Sequence, residues 1–243
     1  MNFISDKQLL TYINNLKYIS EGSQGACYQK ENTVIKIFHD YIEEEKPPYT
    51  KEDILKYSQI KNKTFIWPKE VIEVKDQVVG YTMPYIKMKN LYKTNPLLID
   101  LTKLEEAIKK SYEDIKLVTD KNITMYDVAY NILYKNGQIK IIDTIEYTST
   151  QTTYEKNRMT MDYEIKLFLI DNYFNNFINN NIILKEMYED NNVSSLELLI
   201  TLRKELSTYL DKDINKLQKA KKLIKRIERP KYIREIEGDE YYE

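Results

Sequence analysis

The sequence has little cysteine, histidine, glycine or proline: one Cys, one His, five Gly and six Pro in 243 residues. A single cysteine, Cys27, excludes a disulfide within the chain and fits a reducing compartment. With only His39 beside it, the chain lacks the His/Cys cluster of a zinc site. Scarce glycine makes each one informative, because such a chain keeps it where the backbone needs it. No run reaches the roughly 18 apolar residues of a membrane span. The first ten residues carry Asp6 and Lys7, so the uninterrupted apolar core of a signal peptide is missing. A soluble, cytoplasmic protein is expected. Excess charge is lacking too: the formal net charge is -1, which argues against a surface that tracks nucleic acid throughout. What remains is ordinary globular material, 42% apolar and 31% charged, long enough for one or two domains.

Periodicity changes along the chain. Residues 17–20, 26–30 and 33–38 read as short strands, as do 71–74 and 77–85 on either side of Lys75-Asp76. One helix is predicted at 51–60, after Pro47-Pro48. From residue 97 the pattern is mainly helical, with Leu101, Leu104, Ile108 and Ile115 on one face. A hairpin interrupts it, with strands 131–135 and 138–142 joined by Asn136-Gly137, a pair suited to positive φ. Further helices are predicted near 160–179, 195–209 and 213–228, with Ser194 or Ser195 and Asp213 as N-caps. The acidic tail 238–243 reads as frayed. The fold class is therefore α+β: a small β-rich lobe over 1–86, then a helical lobe over 87–243 with a hairpin region at 123–146. An inter-lobe cleft would suit a ligand.

Two constellations carry chemistry. In Gly22-Ser23-Gln24-Gly25, two glycines between strands let backbone N–H groups approach an anion, although a plain hairpin turn reads the same way. In Val34-Ile35-Lys36-Ile37-Phe38 a lysine sits among four apolar residues. Alternation puts Val34, Lys36 and Phe38 on one face, where a buried ammonium needs a partner or must snorkel to water. Lys36 follows Gly25 by eleven residues, enough for one strand out and one back. Here the chain resembles the protein-kinase superfamily, as a divergent bacterial-type member. Gly22–Gly25 is similar to its glycine-rich loop, with Ser20 where the first glycine usually stands, and Val34-Ile35-Lys36 to its lysine strand.

The resemblance implies further residues. A glutamate on the following helix should pair with the lysine, and Glu52 fits, with Asp53, Glu45 and Glu44 as rivals. The segment Gly80-Tyr81-Thr82-Met83-Pro84-Tyr85-Ile86 resembles a strand running into the hinge. Met83 would bound the adenine pocket, and Tyr85 and Ile86 would offer backbone groups to the base. Cys27 stands where the family has a small apolar roof over it. In Asp127-Val128-Ala129-Tyr130-Asn131, Asp127 resembles the catalytic aspartate and Asn131 a Mg²⁺ ligand. Met125-Tyr126 replaces the usual His-Arg, and the Asp-to-Asn step is four residues where the family has five. Asp143, ending an apolar strand and followed by Thr144-Ile145 where the family has Phe-Gly, resembles the metal-binding aspartate. Two hard oxygen donors suit Mg²⁺.

The function implied is Mg-ATP-dependent phosphoryl transfer to a hydroxyl on a protein or metabolite. The alternatives are a non-catalytic nucleotide- or partner-binding module and AMP transfer. His39 reads as a turn histidine. The aromatic group Tyr163, Phe168, Tyr173, Phe174 and Phe177 reads as core. The basic segment 214–229 reads as an amphipathic helix with a solvated face, and alternatively as a docking surface for an acidic partner.

Overall fold

The computed structural model describes residues 1–39, 49–94, 99–126, 128, 130–173, 180–211 and 213. The protein is α+β, β-rich in its N-terminal part and mainly helical in its C-terminal part. It divides into two compact units, Met1–Lys87 with Asp143–Ile145, and Met88–Ile142 with Glu146–Glu243.

The first unit begins with β1 (Asn2–Phe3) and α1 (Asp6–Ile13). Three strands follow, β2 (Lys17–Gly22), β3 (Gly25–Lys30) and β4 (Thr33–Phe38). After the short helix α2 (Lys51–Leu55) come β5 (Glu70–Val74) and β6 (Gln77–Pro84). These strands form one six-stranded sheet in the order β1-β5-β6-β4-β3-β2. Only β1 joins parallel; every other pairing is antiparallel. Strand alternation sorts the side chains of β4. Ile35 and Ile37 enter an apolar core with Ile72, Val74 and Val79, and Leu9 and Ile13 of α1 cover it. Val34, Lys36 and Phe38 take the other face, as the sequence pattern requires. The turn Lys75-Asp76 has φ of 49° and 66°, the left-handed geometry of a tight hairpin.

Helix α1 was not expected. Ser5 caps it, accepting from the Gln8 N–H, and Leu9 and Ile13, four residues apart, supply its buried face. Helix α2 is shorter than the predicted 51–60. A capping box of Thr50 and Asp53 starts it, and Ile54 is its buried residue.

The second unit begins with β7 (Lys89–Asn90) and α3 (Leu101–Thr119). Then come β8 (Ile123–Thr124), β9 (Ile132–Lys135), β10 (Gln138–Ile141) and β11 (Thr148–Ser149). Helices α4 (Tyr154–Tyr173), α5 (Ile182–Glu189) and α6 (Ser195–Leu210) follow. Asn136 and Gly137, with φ of 48° and 78°, make the left-handed turn that joins β9 to β10. Leu101, Leu104, Ile108 and Ile115 are all buried along one face of α3, which packs with α4 and α6. Ser194 is the N-cap of α6, with Glu197 completing a capping box. In the aromatic group, Phe168 is core, but Tyr163 is 67% exposed, which corrects the expectation for that residue. Five residues along a helix turn a side chain through about 140°, so the two cannot share a face. The Tyr173 side chain, Phe174, Phe177 and the segment 214–229 lie outside the described residues. Among the described residues no helix is long and apolar enough to cross a membrane.

Gly25 is fixed by a close approach. A Cβ on it would lie 2.1 Å from the Ile37 carbonyl oxygen, whereas one on Gly22 would meet nothing within 4 Å. Gly25→Ala should therefore cost about 1–3 kcal/mol in chemical denaturation. Gly22→Ala should stay within about 0.5 kcal/mol of the parent. Equal losses would contradict this packing.

Candidate functional site

Lys36 decides where to look. Its side chain is 6% exposed. An ammonium taken out of water costs on the order of several kcal/mol unless it is paired. The pairing is specific: Nζ donates to Asp143 Oδ1 at 2.6 Å and to Gln24 Oε1 at 2.8 Å. It also lies 5.9 Å from the centroid of the Tyr81 ring, within cation–π range. Strand register explains the company. Cys27 on β3 and Tyr81 on β6 are the cross-strand partners of Lys36, so all three share a face.

Asp143 follows β10 directly and belongs to the first unit. Its backbone is left-handed, with φ of 58°. For a residue other than glycine this costs on the order of 1 kcal/mol or more and marks a place where surrounding structure dictates the backbone. Thr144 helps to dictate it, its hydroxyl donating to the Ile66 carbonyl at 3.0 Å in a buried setting. Lys36 and the Tyr81 hydroxyl both donate to Oδ1 of Asp143, the latter at 3.4 Å. Oδ2 accepts no hydrogen bond among the described residues, and the side chain is 27% exposed. A carboxylate with one oxygen on a lysine and the other open suits a hard cation. No group of three or more His, Cys, Asp or Glu able to hold a metal occurs among the described residues. Mg²⁺ bound beside phosphates takes phosphate and water oxygens among its ligands.

Burial and this charge pair shape the neighbouring groups. Burial, and then the Asp143 carboxylate, push the Tyr81 hydroxyl well above the ordinary tyrosine range. Burial raises the Cys27 thiol as well; Lys36 opposes that shift and Asp143 adds to it.

The glycine segment is a two-residue hairpin, Gly22 pairing with Gly25 across Ser23-Gln24. Neither glycine has a positive φ. His39 holds the turn from β4. Its N–H donates to the Gln24 carbonyl at 3.1 Å, and its Nε2 lies 3.0 Å from the Gly22 carbonyl and 3.2 Å from Glu21 Oε1. Both neighbours of Nε2 are acceptors, so the ring proton is assigned there. His39 is thus more than a turn histidine. The clue was its distance past the lysine strand, which returns it to the glycine turn.

Met83 is buried, and Tyr85 and Ile86 are half-buried. The Tyr85 N–H donates to the Asn32 carbonyl at 2.8 Å. Glu52 is exposed in the first turn of α2 and makes no ion pair among the described residues; the carboxylate on Lys36 is that of Asp143. Its rivals Glu44 and Glu45 lie outside the described residues, and Asp53 is the capping residue of α2.

In the second unit, Asp127 lies outside the described residues. Asn131 N–H donates to Val128 O at 2.9 Å, and Asn131 O accepts from the Ile142 N–H at 3.1 Å, closing the mouth of the β9–β10 hairpin. Its side-chain amide makes no hydrogen bond among the described residues. Two residues of α4 anchor the segment before it. Asn157, fully buried, accepts from Met125 N–H at 2.8 Å and donates to Ile123 O at 2.8 Å and Thr119 Oγ1 at 2.9 Å. Glu164 accepts from the Tyr130 N–H at 2.9 Å. The two lie seven residues apart, two turns along one helix face, a spacing that could have singled them out.

No model of a known protein family matches the chain, and no curated protein matches it.

The raised Cys27 thiol gives a direct test. Iodoacetamide should alkylate Cys27 more slowly than a free cysteine at pH 8, because less of it is thiolate. Faster alkylation would contradict the burial described for it.

Proposed function

We propose that the protein is a Mg-ATP-dependent phosphotransferase of kinase-like fold. The observation that carries this reading is the Lys36–Asp143 pair. Two residues 107 apart in sequence, each singled out by its motif, meet at 2.6 Å beside the residue that tips the glycine turn. A lysine and a carboxylate this close can bracket a triphosphate, the ammonium taking phosphate oxygens and Oδ2 taking the cation. The strand order supports the same reading, since it sets the lysine strand between the glycine hairpin and the strand that runs to the hinge.

In this mechanism Lys36 binds the α- and β-phosphates, and Asp143 would hold the cation. Bound there, Mg²⁺ would neutralise the phosphate charge. Cys27 and Met83 cover the base, and the Ile86 N–H donates to its edge. By the resemblance, Asp127 would receive the proton of the acceptor hydroxyl. The γ-phosphorus gains a bond to the acceptor oxygen as its bond to the ADP oxygen breaks, so positioning and charge neutralisation supply most of the catalysis.

One observation favours a second reading, a nucleotide-binding module without transfer: Glu52 is exposed, and among the described residues no glutamate pairs with Lys36. An active kinase site needs a lysine–glutamate pair.

Incubation with Mg-ATP labelled at the α or the γ position separates these readings. The γ label should reach an acceptor or the protein itself. Lys36→Met and Asp143→Asn should each lower transfer by more than about a hundredfold, with unchanged circular dichroism. Transfer at the parent rate in both variants would sink the assignment. Transfer of the α label instead means AMP transfer, and nucleotide binding without transfer of either label means the binding module.

A further inference from the structure

Gln24 occupies a donor of the lysine that phosphate would need. Its side chain reaches from the tip of the glycine turn to Lys36 Nζ, 2.8 Å from Oε1, while the other strong bond of that ammonium goes to Asp143. An ammonium has three hydrogens. Two of them are on Gln24 and Asp143, which leaves one; engaging an α- and a β-phosphate oxygen together takes two, so one partner must yield. Gln24 is the one that yields. It is neutral, whereas Asp143 is a buried-side ion-pair partner held by the anchored Thr144. An anionic oxygen makes the stronger bond to a cation.

The backbone of Gln24 need not move. Its carbonyl is fastened by the His39 N–H at 3.1 Å, and Gly25 is wedged against the Ile37 carbonyl. Only side-chain torsions have to change, and Gln24 is half-buried at a turn where solvent can receive it.

We propose that Gln24 is a latch on Lys36: its amide competes with phosphate for the ammonium, and nucleotide binds only as this side chain swings out. This rests on the nucleotide-binding reading above and adds a control on the same site. It also reverses the expected role of the turn residue, which a simple cradle would assign to holding phosphate.

The sign of a substitution decides between latch and cradle. ATP affinity, measured by calorimetry with Mg²⁺, is compared in the parent, Gln24→Ala and Gln24→Glu. The latch predicts that Gln24→Ala binds ATP about three- to tenfold more tightly, since one hydrogen bond to a charged group no longer has to be broken. Gln24→Glu should bind more weakly than the parent, because a carboxylate holds the lysine harder and repels phosphate. Weaker or unchanged binding by Gln24→Ala, with the parent binding ATP, overturns the latch and leaves the nucleotide site standing. Absence of ATP binding in the parent and in Gln24→Ala alike overturns the nucleotide reading and the latch with it.

Discussion

A lysine ammonium buried on the face of a β-sheet must be met by a fixed negative charge, and much of the first unit is arranged to supply one. Ile35 and Ile37 commit β4 to a core on one side, which forces Lys36 onto the other. The ammonium then needs the Asp143 carboxylate, and that need explains why Asp143–Ile145 belongs with the first unit although the chain reaches it from β10. The left-handed backbone at Asp143 and the Thr144 bond to Ile66 follow from the same requirement. The pair is no large source of stability, because the aspartate is partly solvated and desolvating the lysine offsets much of the attraction. Its consequence is specificity of place: removing either partner strands the other.

The second unit handles buried polarity by the same rule, with neutral and charged groups alike. Asn157 uses its carbonyl and both amide hydrogens on the end of α3, on β8 and on Met125 just after it. Asp162, also buried, accepts from Arg158, Tyr112 and Ser195. Lys166 donates to the Met187 and Asp190 carbonyls at the C-terminal end of α5, where the helix dipole welcomes a cation, and burial lowers its pKa. Asn157 and Lys166 thus each fix a segment of backbone.

Much of this was legible in the sequence because it depends on local rules. Alternation read the face of β4, Asn136-Gly137 read the hairpin, and the 3.6-residue period read the buried stripe of α3. Lys36 and Asp143 were legible as separate oddities, a charge within an apolar strand and an acid at the end of one. Their partnership was not, because a contact across 107 residues leaves no local trace. Glu52 was chosen by analogy with the lysine's usual partner, and the carboxylate that meets the lysine is another. Helix α1 went unread because eight residues with two buried positions carry little periodic signal. His39, Asn157 and Glu164 act through backbone groups, which any sequence offers, so residue type alone does not announce them.

We propose that Lys36 and Asp143 form a site for a phosphate-borne cation. Calorimetric titration of ATP, with Mg²⁺ and with EDTA, into the parent and Asp143→Asn tests it most directly. The account predicts that Mg²⁺ tightens ATP binding to the parent by about tenfold or more, roughly 1.4 kcal/mol, and that Asp143→Asn loses this dependence. ATP binding of equal strength with and without Mg²⁺, or a Mg²⁺ dependence that survives Asp143→Asn, would contradict it.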